Sequence, residues 1–333
     1  MQLPYLTGQF RYRALDRHAG CDLVDGERAH RWRGDAQLCE PGAELFGRGD
    51  VHVPPPRAVQ GNCVVGGVAG CWSDRMNNAD ILALYDREMR RGARPDSSDA
   101  RIERTGQVVR QIASAEGWNG ILWSGFEAGD ADAVIAEQVA LYTGLGREFE
   151  WKTYSHDTPA DLGERLQAAG FVPDDAESLL IAETKTQLTG AEPPEGVRIE
   201  PVTDMAGVEL MVRANERAFG RDGSWLRDLL RLRLVEDPDL LVAVVALAGD
   251  EPVSSARMEL IPGTRFAGLW GGGTVPEWRG RGIYRALISY RARIAAERGF
   301  EFLQVDATED SRPILEGLGF AKLGTTTPYM YTP

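Results

Sequence analysis

Hydrophobic and polar positions fall into regular patterns from about residue 76 onward, most clearly beyond residue 196. Between 282 and 298 the apolar residues Ile283, Ala286, Leu287, Tyr290 and Ile294 recur with helical period, and Arg285, Arg291, Arg293 and Glu297 point away. Gly299 supplies the stop for this helix. The same reasoning predicts helices over 205–219 and 224–235, with Ser224 as the cap of the second. Residues 240–247 (LLVAVVAL) form an unbroken apolar run, expected as a buried strand. Gly249-Asp250 then turns the chain into a hairpin with 253–260. Strands are also expected over 197–202, 266–275, 302–306 and 328–332, with a short helix over 311–318. Strands that begin as hairpins and then alternate with helices predict a mixed sheet, of α/β or α+β class.

Farther upstream, ADILALYDREMRR reads as a helix capped by Asn77 or Asn78, with Ile81, Leu82, Tyr85 and Met89 on one face. An internal repeat is also visible. Residues 148–171 run strand, polar turn, helix and Ala-Gly-Phe, while residues 300–320 run through the same order to Leu-Gly-Phe. ILWSGF and the helix AVIAEQVALY precede the first copy, as LWGGGTV and the helix after Gly282 precede the second. Two related modules follow, over 76–190 and 191–333, divided by the linker TGAEPPEG. Residues 1–75 have no sustained period and contain Pro54-Pro55-Pro56. They are expected to be a poorly ordered extension, arising from an upstream start codon.

Composition narrows the possible functions. A chain of 333 residues with 43% hydrophobic residues has material for about two domains. The net charge of −13 disfavours nucleic acid and anionic membranes as partners. No apolar run approaches the roughly 18–20 residues of a membrane span, and MQLPYLTGQF lacks a basic patch followed by an apolar core. The expectation is a cytoplasmic monomer or homodimer. Cys21, Cys39, Cys63 and Cys71 form no C-x-x-C pair, so no metal is expected.

The stretch that carries chemistry is GGGTVPEWRGRGIYR, residues 271–285. A strand ends in glycines, and the turn Arg279-Gly280-Arg281-Gly282 leads directly into a helix. First-turn N–H groups have no intrahelical acceptor, and the peptide dipoles add positive potential there. Glycines let an anion approach the backbone, and two arginines add charge beside it, which suits a diphosphate. A Walker loop is absent. The dinucleotide fingerprint fails at Arg285, where its third glycine belongs.

TVPEWRGRGIYRAL resembles the coenzyme A loop of the GNAT acetyltransferase superfamily, Q/R-x-x-G-x-G/A after V-x-P, with Arg279, Gly282 and Tyr284 at the patterned positions. Tyr284 stands where a small residue is usual. A second signature, the helix ending in Leu-Gly-Phe, stands as Leu318-Gly319-Phe320. The resemblance covers roughly residues 195–333 and extends weakly to 76–190, in a tandem arrangement whose second module is complete. It implies a splayed sheet whose bulged fourth strand leaves a gap for the thioester arm. It implies acetyl-CoA as co-substrate, held by Gly280, Arg281, Ile283 and Ser311 together with the three patterned residues, and by strand N–H groups from Gly272 through Gly273, Thr274 and Val275. The implied activity is transfer of an acetyl group to a primary amine, either a small molecule or a peptide amino terminus. The alternative is a catalytically inactive acyl-CoA-binding sensor.

The general acid and base are less marked. The position where the family often carries an acidic tyrosine is Leu315, leaving Tyr329 and Tyr331 as substitutes, with Tyr329 preferred. Glu259 is the candidate base, acting through a water. Asp306 ends a strand near the gap, and Trp225 and Trp270 are candidates to line the acceptor pocket. In the first module the equivalent loop reads FEAGDADAV, which sets Glu127, Asp130 and Asp132 where the diphosphate would sit. Even at an effective dielectric of 20, unit charges 4 Å apart repel by about 4 kcal/mol. The first module is therefore expected not to bind coenzyme A, and to serve as scaffold or as one wall of the acceptor pocket.

Overall fold

The computed structural model describes residues 76–188 and 191–333. The extension expected over residues 1–75, which holds all four cysteines, lies outside the described residues.

The first described helix, α1 (Asn78–Tyr85), is capped by Asn77, whose Oδ1 accepts from the Asp80 amide. It continues as a π-helical turn over Asp86–Arg91. Ile81, Leu84, Tyr85 and Met89 form its buried face. The first module then runs β1 (Arg101–Arg104), β2 (Val108–Ile112), β3 (Gly120–Ser124), α2 (Ala131–Leu145), β4 (Phe149–Tyr154), α3 (Leu162–Ala168), β5 (Val172–Pro173) and β6 (Glu177–Glu183). The second runs β7 (Val197–Pro201), α4 (Met205–Phe219), α5 (Ser224–Glu236), β8 (Leu241–Ala248), β9 (Glu251–Leu260), β10 (Phe266–Thr274), α6 (Ile283–Glu297), β11 (Phe302–Ala307), α7 (Arg312–Gly317) and β12 (Ala321–Tyr331). The cap expected at Ser224 is instead Gly223. Ser224 is the first helical residue and bonds the Asp222 carboxylate.

All described strands join one mixed sheet, in the order β1-β2-β3-β4-β12-β6-β11-β10-β9-β8-β7, with β5 beside β12. Only β3–β4 and β10–β11 are parallel. The repeat read from the sequence is visible as β3-α2-β4-α3 and β10-α6-β11-α7. Each copy has a short parallel contact that ends early: Gly120–Ile121 with Glu150–Trp151, and Phe266–Gly268 with Phe302–Gln304. Beyond those residues the paired strands diverge.

The modules exchange their last strands. β6, the last strand of the first module, pairs with β11, and the C-terminal β12 pairs with β4. β6 and β12 then pair with each other at the centre. The linker at 189–196 thus separates β6 from β7 in sequence, while hydrogen bonding ties β6 to the second half.

Side chains directly opposite in a sheet share a face. On one face, Met258 and Leu269 pack against Leu287 and Ile288 of α6. On the other, Ala243, Val245 and Leu247 pack against Val208, Met211 and Leu230 of α4 and α5. The middle of that second face is covered by α1, where Tyr85 meets Phe266, Phe302 and Tyr154. α2 and α3 enclose Phe149, Trp151 and Tyr329.

Candidate functional site

β10 determines the site. It leaves β11 after Gly268, and its register with β9 shifts between Trp270 and Gly273. Gly271 adopts φ +58°, a left-handed conformation that opens the bulge and that a side chain would strain. The next two glycines answer to packing. A Cβ on Gly272 would lie 2.7 Å from the Tyr284 ring, and one on Gly273 would lie 2.6 Å from the Phe219 ring. Tyr284 therefore folds back onto the strand, away from the turn, and burial raises its phenol pKa. Ser254 Oγ donates to the Gly273 carbonyl at 2.7 Å and lies 2.9 Å from Thr274 Oγ1. The Val275 amide donates to the Val253 carbonyl at 3.0 Å, so it is not free to hold a ligand as the sequence suggested.

Past the turn Pro276–Trp278 the chain forms an open corner. Arg279 Nε donates to the Thr274 carbonyl at 3.0 Å and Nη2 to the Ala218 carbonyl at 3.1 Å, tying the corner to the end of α4. Arg281 Nη2 donates to the Glu277 carbonyl, and its guanidinium lies 4.5 Å above the Trp278 ring. Gly280 (φ +72°) and Gly282 (φ +83°) face open space, with no atom within 4 Å of a Cβ built on either. Arg279 through Gly282 are exposed. The first intrahelical bond of α6 runs from the Ala286 amide to the Gly282 carbonyl. That leaves the amides of Ile283, Tyr284 and Arg285 without intrahelical acceptors. Exposed left-handed glycines, free amides, the positive helix end and two arginines form a site suited to a diphosphate.

The remaining candidates separate. Ser311 is the N-cap residue of α7, but its Oγ donates to the Thr308 carbonyl at 3.2 Å and makes no cap bond to the helix. Glu259 lies on β9 directly opposite Gly268, the last residue of β10 that pairs with β11. Burial pushes its carboxyl up, opposed by Arg257, whose Nε is 3.4 Å away. Leu315 is wholly buried in the core beneath α6. Tyr329 is not brought to the gap. On β12 it pairs with Trp151 of β4, its hydroxyl packs against Gly163 of α3, and β6 lies between β12 and β11. Tyr331 packs with its ring tilted about 50° against Phe149 and Phe171 in the same core. Trp225 packs beside the α4–α5 cluster. At the equivalent corner of the first module, Glu127 and Asp130 are exposed beside the start of α2, and Asp132 pairs with Arg165 at 2.8 Å.

A cavity that the sequence did not reveal opens on the α1 side of the splay. Trp270, Gln304 and Asp306 line it from β10 and β11, Lys152 and Tyr154 from β4, and Tyr85 and Arg90 from the helical segment above. Lys152 Nζ bonds Asp306 Oδ2 at 2.7 Å, joining the two modules. In sequence, the alternation Glu150-Lys152-Tyr154 resembles a solvated strand face, which hid it. Among the described residues no group of three or more His, Cys, Asp or Glu side chains is arranged to hold a metal ion. Nor is any described helix long and apolar enough to cross a membrane.

Residues 208–320 match the acetyltransferase (GNAT) family. No curated protein matches the chain. A GCN5-related N-acetyltransferase from Kribbella flavida superposes with TM-score 0.55 at 18% identity, covering 77% of this chain and 94% of its own. A tandem GNAT protein from the clavulanic acid biosynthesis pathway gives 0.52 at 13%, covering 70% and 83%. A GCN5-related N-acetyltransferase from Sphaerobacter thermophilus gives 0.51 at 15%, covering 75% and 90%. At these identities the likeness is one of fold.

Proposed function

We propose that the chain, whose residues 208–320 match the acetyltransferase (GNAT) family, transfers an acetyl group from acetyl-CoA to a primary amine. The observation that carries this reading is the open corner at the start of α6, where no described side chain lies within 4 Å of a Cβ at Gly280 or Gly282 and the first helical amides have no acceptor among the described residues. The amides of Ile283, Tyr284 and Arg285 hold the diphosphate, and the approach over Gly280 and Gly282 is clear of any Cβ. Arg279 and Arg281 set the shape of the corner through their carbonyl contacts and add positive charge. The gap between β10 and β11, edged by Gly273 and Thr274, takes the acyl end.

When bound, acetyl-CoA supplies an activated thioester carbonyl. The protein must hold the amine beside that carbonyl and take up a proton, because an alkylammonium has no lone pair. Glu259 is the proposed base. It lies at the point where the strands part, and burial keeps its carboxyl above the ordinary range, nearer the proton affinity a base needs. The first module, taken as 76–190, walls the acceptor side and does not bind coenzyme A, since Glu127, Asp130 and Asp132 repel a diphosphate. The acceptor side is built for a small amine more than for a peptide amino terminus, because α1 roofs it.

Coenzyme binding without transfer is the second reading, favoured by the aliphatic Leu315 where a tyrosine acid is usual. Thiol release from acetyl-CoA over a panel of small amines separates the two. Amine-dependent release with an acetylated product supports transfer. Tight coenzyme binding with no release on any amine supports the second reading.

A further inference from the structure

The cavity on the α1 side contains two unanswered polar atoms. Asp306 is 2% exposed, and its Oδ2 is engaged by Lys152. Its Oδ1 is buried and has no hydrogen-bond partner among the described residues. Trp270 Nε1, on the neighbouring strand, is buried and unpaired as well. Leaving such atoms unmatched costs about 1–3 kcal/mol each, and more for a charged oxygen, so a pair in one cavity, of about 30 Å³, calls for a small polar occupant.

Their position fits the acceptor. Gln304 is the last residue of β11 paired with β10, and Asp306 follows two residues later on the same face, where the strands have parted. The roof is formed by Tyr85, whose hydroxyl lies 3.3 Å from that of Tyr154 on β4, and by Arg90, whose guanidinium sits 3.8 Å above the Tyr154 ring. Arg90 is already matched by Asp86 and Asp157, each at 2.8 Å.

We propose that this inter-module cavity is the acceptor site, in which Asp306 Oδ1 anchors the cationic group of a small amine and Trp270 Nε1 donates to an oxygen of the same molecule. The inference rests on the transferase reading and deepens it. It gives the first module a task, because Lys152 orients the anchoring carboxylate from β4 and the helical segment closes the cavity.

Two measurements test it. The first compares KM for the best small amine, and coenzyme A affinity by calorimetry, between the wild type and Asp306→Asn. KM should rise at least about tenfold, equivalent to about 1.4 kcal/mol, while coenzyme affinity stays level. An unchanged KM overturns the proposal and leaves the transferase reading intact. Asp306→Asn leaves Lys152 unmatched and can unfold the chain, so the second measurement uses the wild type alone. Ethanolamine and propanol, similar in size and differing in the cationic nitrogen, are titrated into the protein saturated with coenzyme A. Ethanolamine should bind at least about tenfold more tightly, and equal binding overturns the proposal. Should coenzyme A itself not bind, the transferase reading fails. The same titration without coenzyme then decides the cation site separately.

Discussion

The substitution Gly282→Asp probes the α6 corner, and Gly282→Asn is its matched control. Gly282 has φ +83°, so any side chain there carries left-handed strain of roughly 1–2 kcal/mol. Asn and Asp bear that strain about equally, being close in shape and both tolerant of the left-handed region. Nothing lies within 4 Å of the Cβ position, so neither variant clashes. The difference between them is one negative charge beside the place where a diphosphate docks. Unit charges 4 Å apart repel by about 4 kcal/mol at a dielectric of 20. The corner is exposed, and solvent and salt reduce this to about 2–3 kcal/mol. Coenzyme A should therefore bind Gly282→Asp roughly 30- to 150-fold more weakly than Gly282→Asn. Titration calorimetry reads the affinities, and thermal melting confirms that the two variants are equally folded. Adding salt should narrow the difference. Equal affinity for the two variants would refute the argument, because the corner would then not be in contact with the diphosphate.

Gly272→Ala should destabilise the protein by about 1–3 kcal/mol in urea melts, because its Cβ meets the Tyr284 ring at 2.7 Å, and Tyr284→Ala on that background should restore part of the loss. Lys152→Met strands the Asp306 carboxylate and should cost about 3–5 kcal/mol, whereas Lys152→Met with Asp306→Leu should recover most of it, read as a double-mutant cycle. Burial pushes Glu177 from the ordinary 4.5 up to about 7, so the folded state holds its proton more tightly than the unfolded chain does. Stability must then fall as pH rises from about 4.5 through about 7. Relative to Glu177→Gln the fall should reach about 3 kcal/mol, and parallel pH profiles for the two proteins would contradict the assignment.

The parts legible in the sequence were those with local causes. The α6 corner announced itself because left-handed glycines and free helix amides need particular residues in a particular order. The period of α4, α5 and α6 followed from apolar faces buried against one sheet. β2 was missed because Arg110 and Gln111 interrupt its apolar run. Both are buried and satisfied at a distance, Arg110 by Glu103 and Gln138 and Gln111 by the Trp118 carbonyl. β6 was missed as a strand, and its partnership with β11 has no local signature, since strand exchange depends on which edges meet. The same applies to Lys152 and Asp306, 154 positions apart in the chain. The sequence leaves Tyr329 and Tyr331 as candidate acids because it does not say which module the last strand joins. Val275 was assigned a ligand-facing amide because its bond to Val253 depends on the register of β9 across the bulge.

The claim on which the rest depends is that a diphosphate docks at the start of α6. The most direct measurement compares coenzyme A with pantetheine, which has the thiol arm and lacks the diphosphate, by calorimetry on the wild-type protein. The account predicts one coenzyme A per chain, bound at least about a hundredfold more tightly than pantetheine. Equal affinities, or no binding of coenzyme A, would contradict it.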